Sequence, residues 1–113
     1  MVEQGEDSEP VPAAAVTAGR LLRLSRQMLR QAEKGDWRGV MERDRLRRVQ
    51  ADRLPADPEH PEAALVRETL RQVLVLDRQV RLLMQRERDR LGAASRDEQQ
   101  GREAQQAYTR FSR

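Results

Sequence analysis

The sequence predicts an all-α protein: a small antiparallel helical bundle of three main helices plus a weaker C-terminal helix. Three observations carry that prediction. Strong helix formers (Leu, Arg, Ala, Glu, Gln) dominate the 113 residues. Apolar side chains recur at three- and four-residue spacing, and no stretch alternates with period two long enough for a strand. Apolar residues make up 37% and aromatics 3% of the chain, so the core must be thin and mostly aliphatic. A thin helical layer leaves an apolar face uncovered, and a partner protein or a second copy of the chain, as a homodimer, is expected to cover it.

Residues 1–11 carry Glu3, Glu6, Asp7 and Glu9 and end among Pro10 and Pro12, the composition of a disordered acidic leader. A single helical domain is expected over 12–113. Its first helix, over about 13–34, sets Leu21, Leu22, Met28, Leu29 and Ala32 against Arg20, Arg23, Arg30 and Lys34. Gly35 suits the left-handed conformation that closes a helix. Asp36 is placed to cap the next helix, over about 36–53, with Trp37 in its first turn. So short a connection predicts two helices packed antiparallel, with the indole as a core anchor at the closed end.

Pro55, Pro58 and Pro61 interrupt the chain within seven residues, so 54–61 is a linker. Helix three is expected over about 61–92, with Pro61 suited to its first turn. Val66, Leu70, Val73, Asp77, Val80, Met84, Glu87 and Leu91 step by three or four, a heptad-like seam that Leu76 and Leu83 widen. Gly92 is expected to end it. Ser95-Arg96-Asp97-Glu98 then has the form of a capping box opening a fourth helix over about 95–112, with Ala104, Tyr108 and Phe111 on one face. Asp77 interrupts the apolar seam. It is expected to pair with Arg81 or with an arginine of a neighbouring helix, or else to set register or meet a partner's backbone.

Several function classes find no support in these residues. There is no cysteine, which removes disulfides and thiolate chemistry and suits a reducing compartment. His60, the sole histidine, sits among prolines and is expected to be a cap or surface residue; with no second histidine or cysteine it builds no metal site. Ser25 falls on the buried side of helix one, and the glycines are scattered singly, without a phosphate loop. Neither enzymatic activity nor a cofactor is expected. Val73-Leu74-Val75-Leu76 is far too short to span a membrane, and no secretory signal opens the chain, so a cytoplasmic location is expected.

The net charge of +3 hides an asymmetry: residues 10–113 hold 22 basic against 15 acidic side chains (19 less the four at 3–9), or +7. The arginines are interleaved with Glu and Asp, the pattern of a solvated, salt-bridged face, and no nucleic-acid recognition motif accompanies them.

Leu21-Leu22-Arg23-Leu24-Ser25-Arg26-Gln27-Met28-Leu29, then Ala32 and Gly35-Asp36-Trp37, resembles the first helix and hinge of the FliT family of flagellar export chaperones. Leu76-Asp77, Gln85-Arg86-Glu87-Arg88 with Leu91, and Ala107-Tyr108-Thr109-Arg110-Phe111 follow in family order, so the resemblance covers about residues 18–112. It implies a chaperone for FliD, the filament cap protein, which is delivered to the flagellar type III export gate. Some members also contact the export ATPase FliI or the gate protein FlhA, with the last helix masking those sites, and in enteric bacteria FlhC. The competing readings are a regulator-binding helical protein controlling flagellar gene expression and a coiled-coil stalk or adaptor.

Two sites are expected. Val40, Met41, Val73, Leu76, Val80, Leu83 and Met84 offer more apolar surface than a thin bundle needs, and part of this stripe is expected to be exposed and to bind the client. Tyr108 and Phe111 are expected to dock a weakly held regulatory tail, displaced when a partner arrives.

Overall fold

The computed structural model describes residues 11–111, so the expected leader lies, but for Val11, outside the described residues. Three α-helices make up the described chain: α1 (Ala13–Glu33), α2 (Trp37–Asp52) and α3 (Ala63–Phe111). No strand occurs among the described residues. The chain divides into two compact units, Met1–Val80 and Arg81–Arg113.

In the first unit α1 buries Ala14, Thr17, Ala18, Leu21, Ser25, Met28 and Ala32, at three- or four-residue steps apart from the adjacent Thr17 and Ala18. This is the apolar stripe that turns one face of a helix inward. Gly35 closes the helix at φ +75°, in the left-handed region. Its backbone N–H donates to the Ala32 carbonyl at 3.0 Å and that of Asp36 to Gln31 at 2.9 Å, satisfying carbonyls the helix end would leave unpaired. Asp36 then caps α2: its Oδ1 accepts from the Gly39 N–H at 2.9 Å. A Cβ on Gly39 would overlap that carboxylate, so the small residue three positions on makes room for the cap. Trp37 is half-buried, and its indole Nε1 lies buried without a hydrogen-bond partner among the described residues.

Arg47 Nη1 on α2 donates to Ser25 Oγ on α1 at 3.3 Å. Ser25 and Arg47 stand ten and twelve residues on either side of Gly35, so α2 folds back along α1 as a hairpin. The linker ends in its own cap. His60 Nδ1 accepts from the Glu62 N–H at 3.0 Å, and the His60 carbonyl accepts from Ala63 at 2.9 Å. His60 is therefore the cap residue the sequence predicts. Within the first unit α3 buries Val66, Thr69, Val73 and Val80.

Two expectations are corrected in α3. The helix does not end at Gly92, and no separate helix begins at Ser95: the chain is helical without a break from Ala63 to Phe111. Gly92 lacks the positive φ of a helix terminator, and Ser95, itself helical, is not in the extended conformation that a capping box requires. A glycine inside a helix costs about 1 kcal/mol relative to alanine. Neighbouring side chains offset part of that: Gln85 donates to Asp89 at 3.0 Å, Gln99 to Glu103 at 3.1 Å, and Arg90 to Glu87 at 2.7 Å. The hydrogen bond from Arg90, helped by its charge, holds the Glu87 carboxyl below its ordinary value.

The charge pattern also departs from expectation, helix by helix. Ion pairs form within α2 (Arg47–Asp44 at 3.0 Å, Arg48–Asp44 at 2.8 Å) and within α3 (Arg71–Glu68 at 2.8 Å, Arg90–Glu87 at 2.7 Å). On α1 none of Arg20, Arg23, Arg26 and Arg30 pairs with a described acid. Interleaving fails there because Glu33 is the only acid between residues 13 and 33.

Candidate functional site

The first unit has a polar centre inside its thin aliphatic core. Arg47 carries it: its guanidinium donates to Ser25 Oγ on α1, to Asp77 on α3 and, through Nε, to Asp44 one turn away at 3.0 Å. The two charged partners are largely removed from solvent, at 16% side-chain exposure for Arg47 and 22% for Asp77. Burial by itself would lower the Arg47 pKa. The hydrogen bond and charge of Asp77, with those of Asp44, more than offset it and hold the pKa above its ordinary value. The guanidinium thus stays charged and ties three helices at one point. Asp77 has the neighbouring-helix arginine partner that the break in its seam implied.

Ser25, 1% exposed, donates its hydroxyl to the Leu21 carbonyl at 3.0 Å while accepting from Arg47. That arrangement satisfies the hydroxyl structurally and leaves no base beside it to activate a nucleophile. Among the described residues no group of three or more His, Cys, Asp or Glu side chains is placed to hold a metal ion. No helix among them is long and apolar enough to cross a membrane.

The expected client stripe separates into three populations. Val40, Val73 and Val80 are core residues, buried at 4–7% exposure. Leu76 in the first unit, and Leu83 and Met84 in the second, are half-buried. Met41 is 72% exposed, one residue round α2 from buried Val40. The valines therefore pack in the core of the first unit, and Met41 with the half-buried Leu76, Leu83 and Met84 supplies the part of the stripe that reaches solvent. The seven-residue spacing of Val73 and Val80 on α3, shared by Val66, is the inward seam itself.

The apolar surface α3 does leave open was missed as a site. Within the first unit Leu70, Leu74 and Val75 are 41%, 57% and 51% exposed. The signal was present in the run Val73-Leu74-Val75-Leu76. Four consecutive residues sweep about 300° round a helix, so a helix that buries one face must present some of them outward. Leu70 and Leu74, at i and i+4, lie one above the other and form a two-residue ledge. In the second unit Leu82 and Leu91 are exposed, as are Tyr108 at 75% and Phe111 at 85%. Both tail aromatics are thus open to solvent. A shallow, open depression lined by Arg102, Gln105, Gln106, Thr109 and Arg110 lies on the surface of the same helical segment.

The family model described as "Flagellar protein FliT" matches residues 16–110. No curated protein and no solved structure matches the chain.

Proposed function

We propose that this chain, which belongs to the FliT family of flagellar proteins, is a flagellar type III export chaperone of the cytoplasm. It binds the filament cap protein FliD, keeps it unassembled and delivers it to the export gate. The observation that carries this reading is the open apolar surface of α3, Leu70, Leu74 and Val75 above all, on a helix that already buries a separate seam of Val66, Val73 and Val80. A single helix exposing large aliphatic side chains at i and i+4 is suited to receive an amphipathic client segment, whose own apolar side chains would leave water on docking. Met41 and the half-buried Leu76, Leu83 and Met84 are further candidates for client contact, the methionines allowing adaptable packing.

Tyr108 and Phe111 belong to the same proposal as a regulatory element. Both are exposed, so they are available either to the gate protein FlhA or the export ATPase FliI, or to docking elsewhere when no partner is present. FlhC, in a host that has it, would be a partner of the same kind.

Capture from a flagellated host with the full-length chain as bait tests the assignment. FliD is expected as the dominant partner, with capture reduced at least about tenfold by Leu74→Asp, which places an unpaired charge where an apolar contact would form. A bait that is folded by circular dichroism and recovers no flagellar protein would overturn the assignment.

A further inference from the structure

Within the first unit the open ledge of α3 is framed by arginines. Arg67, Leu70, Arg71, Leu74 and Arg78 are all exposed. At 100° per residue they share an arc of about 100°, the leucines along one edge and the arginines along the other. Arg67 and Arg78 stand eleven residues apart, about 16 Å along the helix, so one lies a turn before the ledge and the other a turn beyond it. Neither pairs with a described acid. Arg71 holds Glu68 at 2.8 Å, but both side chains are open, at 73% and 51% exposure, and such a pair is weak. The one other acid of α3 in this unit, Asp77, is tied to Arg47. α1 presents exposed arginines too, yet no large apolar side chain between Arg20 and Arg30 is exposed. On α3 the two kinds of side chain stand together.

We propose that the partner segment taken by this face is an acidic amphipathic helix. It would set two large aliphatic side chains, four residues apart, on Leu70 and Leu74, and Asp or Glu about a turn to either side, against Arg67 and Arg78. The proposal rests on the client reading of the α3 face and names the chemistry of what docks there.

Apolar contact supplies the affinity, and charge supplies the selection. Covering the ledge takes water from the guanidiniums beside it. A carboxylate within reach restores a charge-assisted hydrogen bond, whereas a basic segment sets like charges side by side. Guanidinium forks suit phosphates as well as carboxylates. The leucines decide between them: a phosphate backbone has nothing to place on the ledge, and the face has no aromatic side chain on which bases stack. For a bilayer surface the apolar patch is short. It ends at three aliphatic side chains, Leu70, Leu74 and Val75, with no aromatic to anchor it.

Three fluorescein-labelled peptides of about 18 residues, long enough to be helical, test the proposal. All carry the same leucine stripe at i, i+4, i+7 and i+11, and the positions flanking it are Glu in one, Gln in the second and Lys in the third. In anisotropy titrations of the full chain at low salt, the Glu peptide is expected to bind about tenfold tighter than the Gln peptide, since each of three exposed pairs changes affinity by a factor of about two. The Lys peptide should bind more weakly than both, and the differences should close at about 1 M salt. Arg67→Glu combined with Arg78→Glu, in a chain still helical by circular dichroism, should reverse the order of the Glu and Lys peptides. Differences in peptide helicity cannot produce that reversal. Leu74→Asp should weaken all three peptides. No binding of any peptide, equal affinity for the Glu and Lys peptides, or an order that survives the reversed arginines overturns the proposal. So does binding that Leu74→Asp leaves unchanged. Binding only to phosphatidylcholine vesicles with about 30% phosphatidylserine overturns it in favour of a membrane surface. FliD is a separate arm. The expected peptide order with no capture of FliD upholds the acidic-helix site and removes the assignment to FliD. Capture of FliD that neither salt nor the reversed arginines alter does the opposite.

Discussion

Replacing Asp77 with leucine tests the polar tie at the centre of the first unit. Arg47 would lose a charge-assisted hydrogen bond, worth about 1.5–3 kcal/mol in comparable settings. Breaking a fully buried pair costs about 3–5 kcal/mol. Here Arg47 retains Asp44 at 3.0 Å and Ser25 at 3.3 Å, and both members of the pair keep some solvent, at 16% and 22% exposure. The expected loss is therefore near the lower end, about 2 kcal/mol. For a domain of this size that corresponds to a fall in Tm of about 8 °C. The double variant Arg47→Met, Asp77→Leu replaces the pair by apolar groups and is expected to recover most of the loss, to within about 1 kcal/mol of the parent. Urea denaturation followed by circular dichroism measures all three chains on one scale. If Asp77→Leu loses no stability, the tie does not hold the three helices together. If the double variant loses as much as the two single changes summed, Arg47 acts through contacts other than Asp77.

Three further outcomes follow from named positions. Gly35→Ala places a side chain at φ +75° and is expected to cost about 1–2 kcal/mol by the same urea measurement, although the space around it is open. Gly92→Ala lies inside a continuous helix, so it should stabilise residues 81–111 by about 1 kcal/mol; amide exchange near residue 92 should slow, and faster exchange would mean the helix breaks there. Val80→Asp buries a carboxylate at a site 4% exposed and is expected to unfold the first unit, read as loss of the cooperative thermal transition.

Local chemistry made much of the fold legible. The Gly35-Asp36 pair marked one helix end and the next cap, and three prolines marked the linker, because each of these residues restricts or enables backbone geometry where it stands. The inward stripe of α1 was legible for the same reason: one face alone is apolar. Two things were hidden. Gly92 and Ser95 have the residue types of a helix end, yet local propensity of about 1 kcal/mol does not decide a break when the flanking segments are both strong helix formers. The client stripe was drawn from apolar identity alone, and identity does not separate Val80, which holds the core, from Leu74, which faces water. That distinction depends on where the other helices lie, and only the register between buried Val66, Val73 and Val80 supplies it.

The central claim is that the open face of α3 receives FliD. Calorimetric titration of the purified chain with FliD from the same host tests it most directly. Binding with a negative heat-capacity change is expected, the mark of apolar burial. Leu74→Asp should weaken it at least about tenfold while leaving the urea midpoint unchanged, because an exposed position tolerates charge. Unaltered affinity in that folded variant would contradict the account.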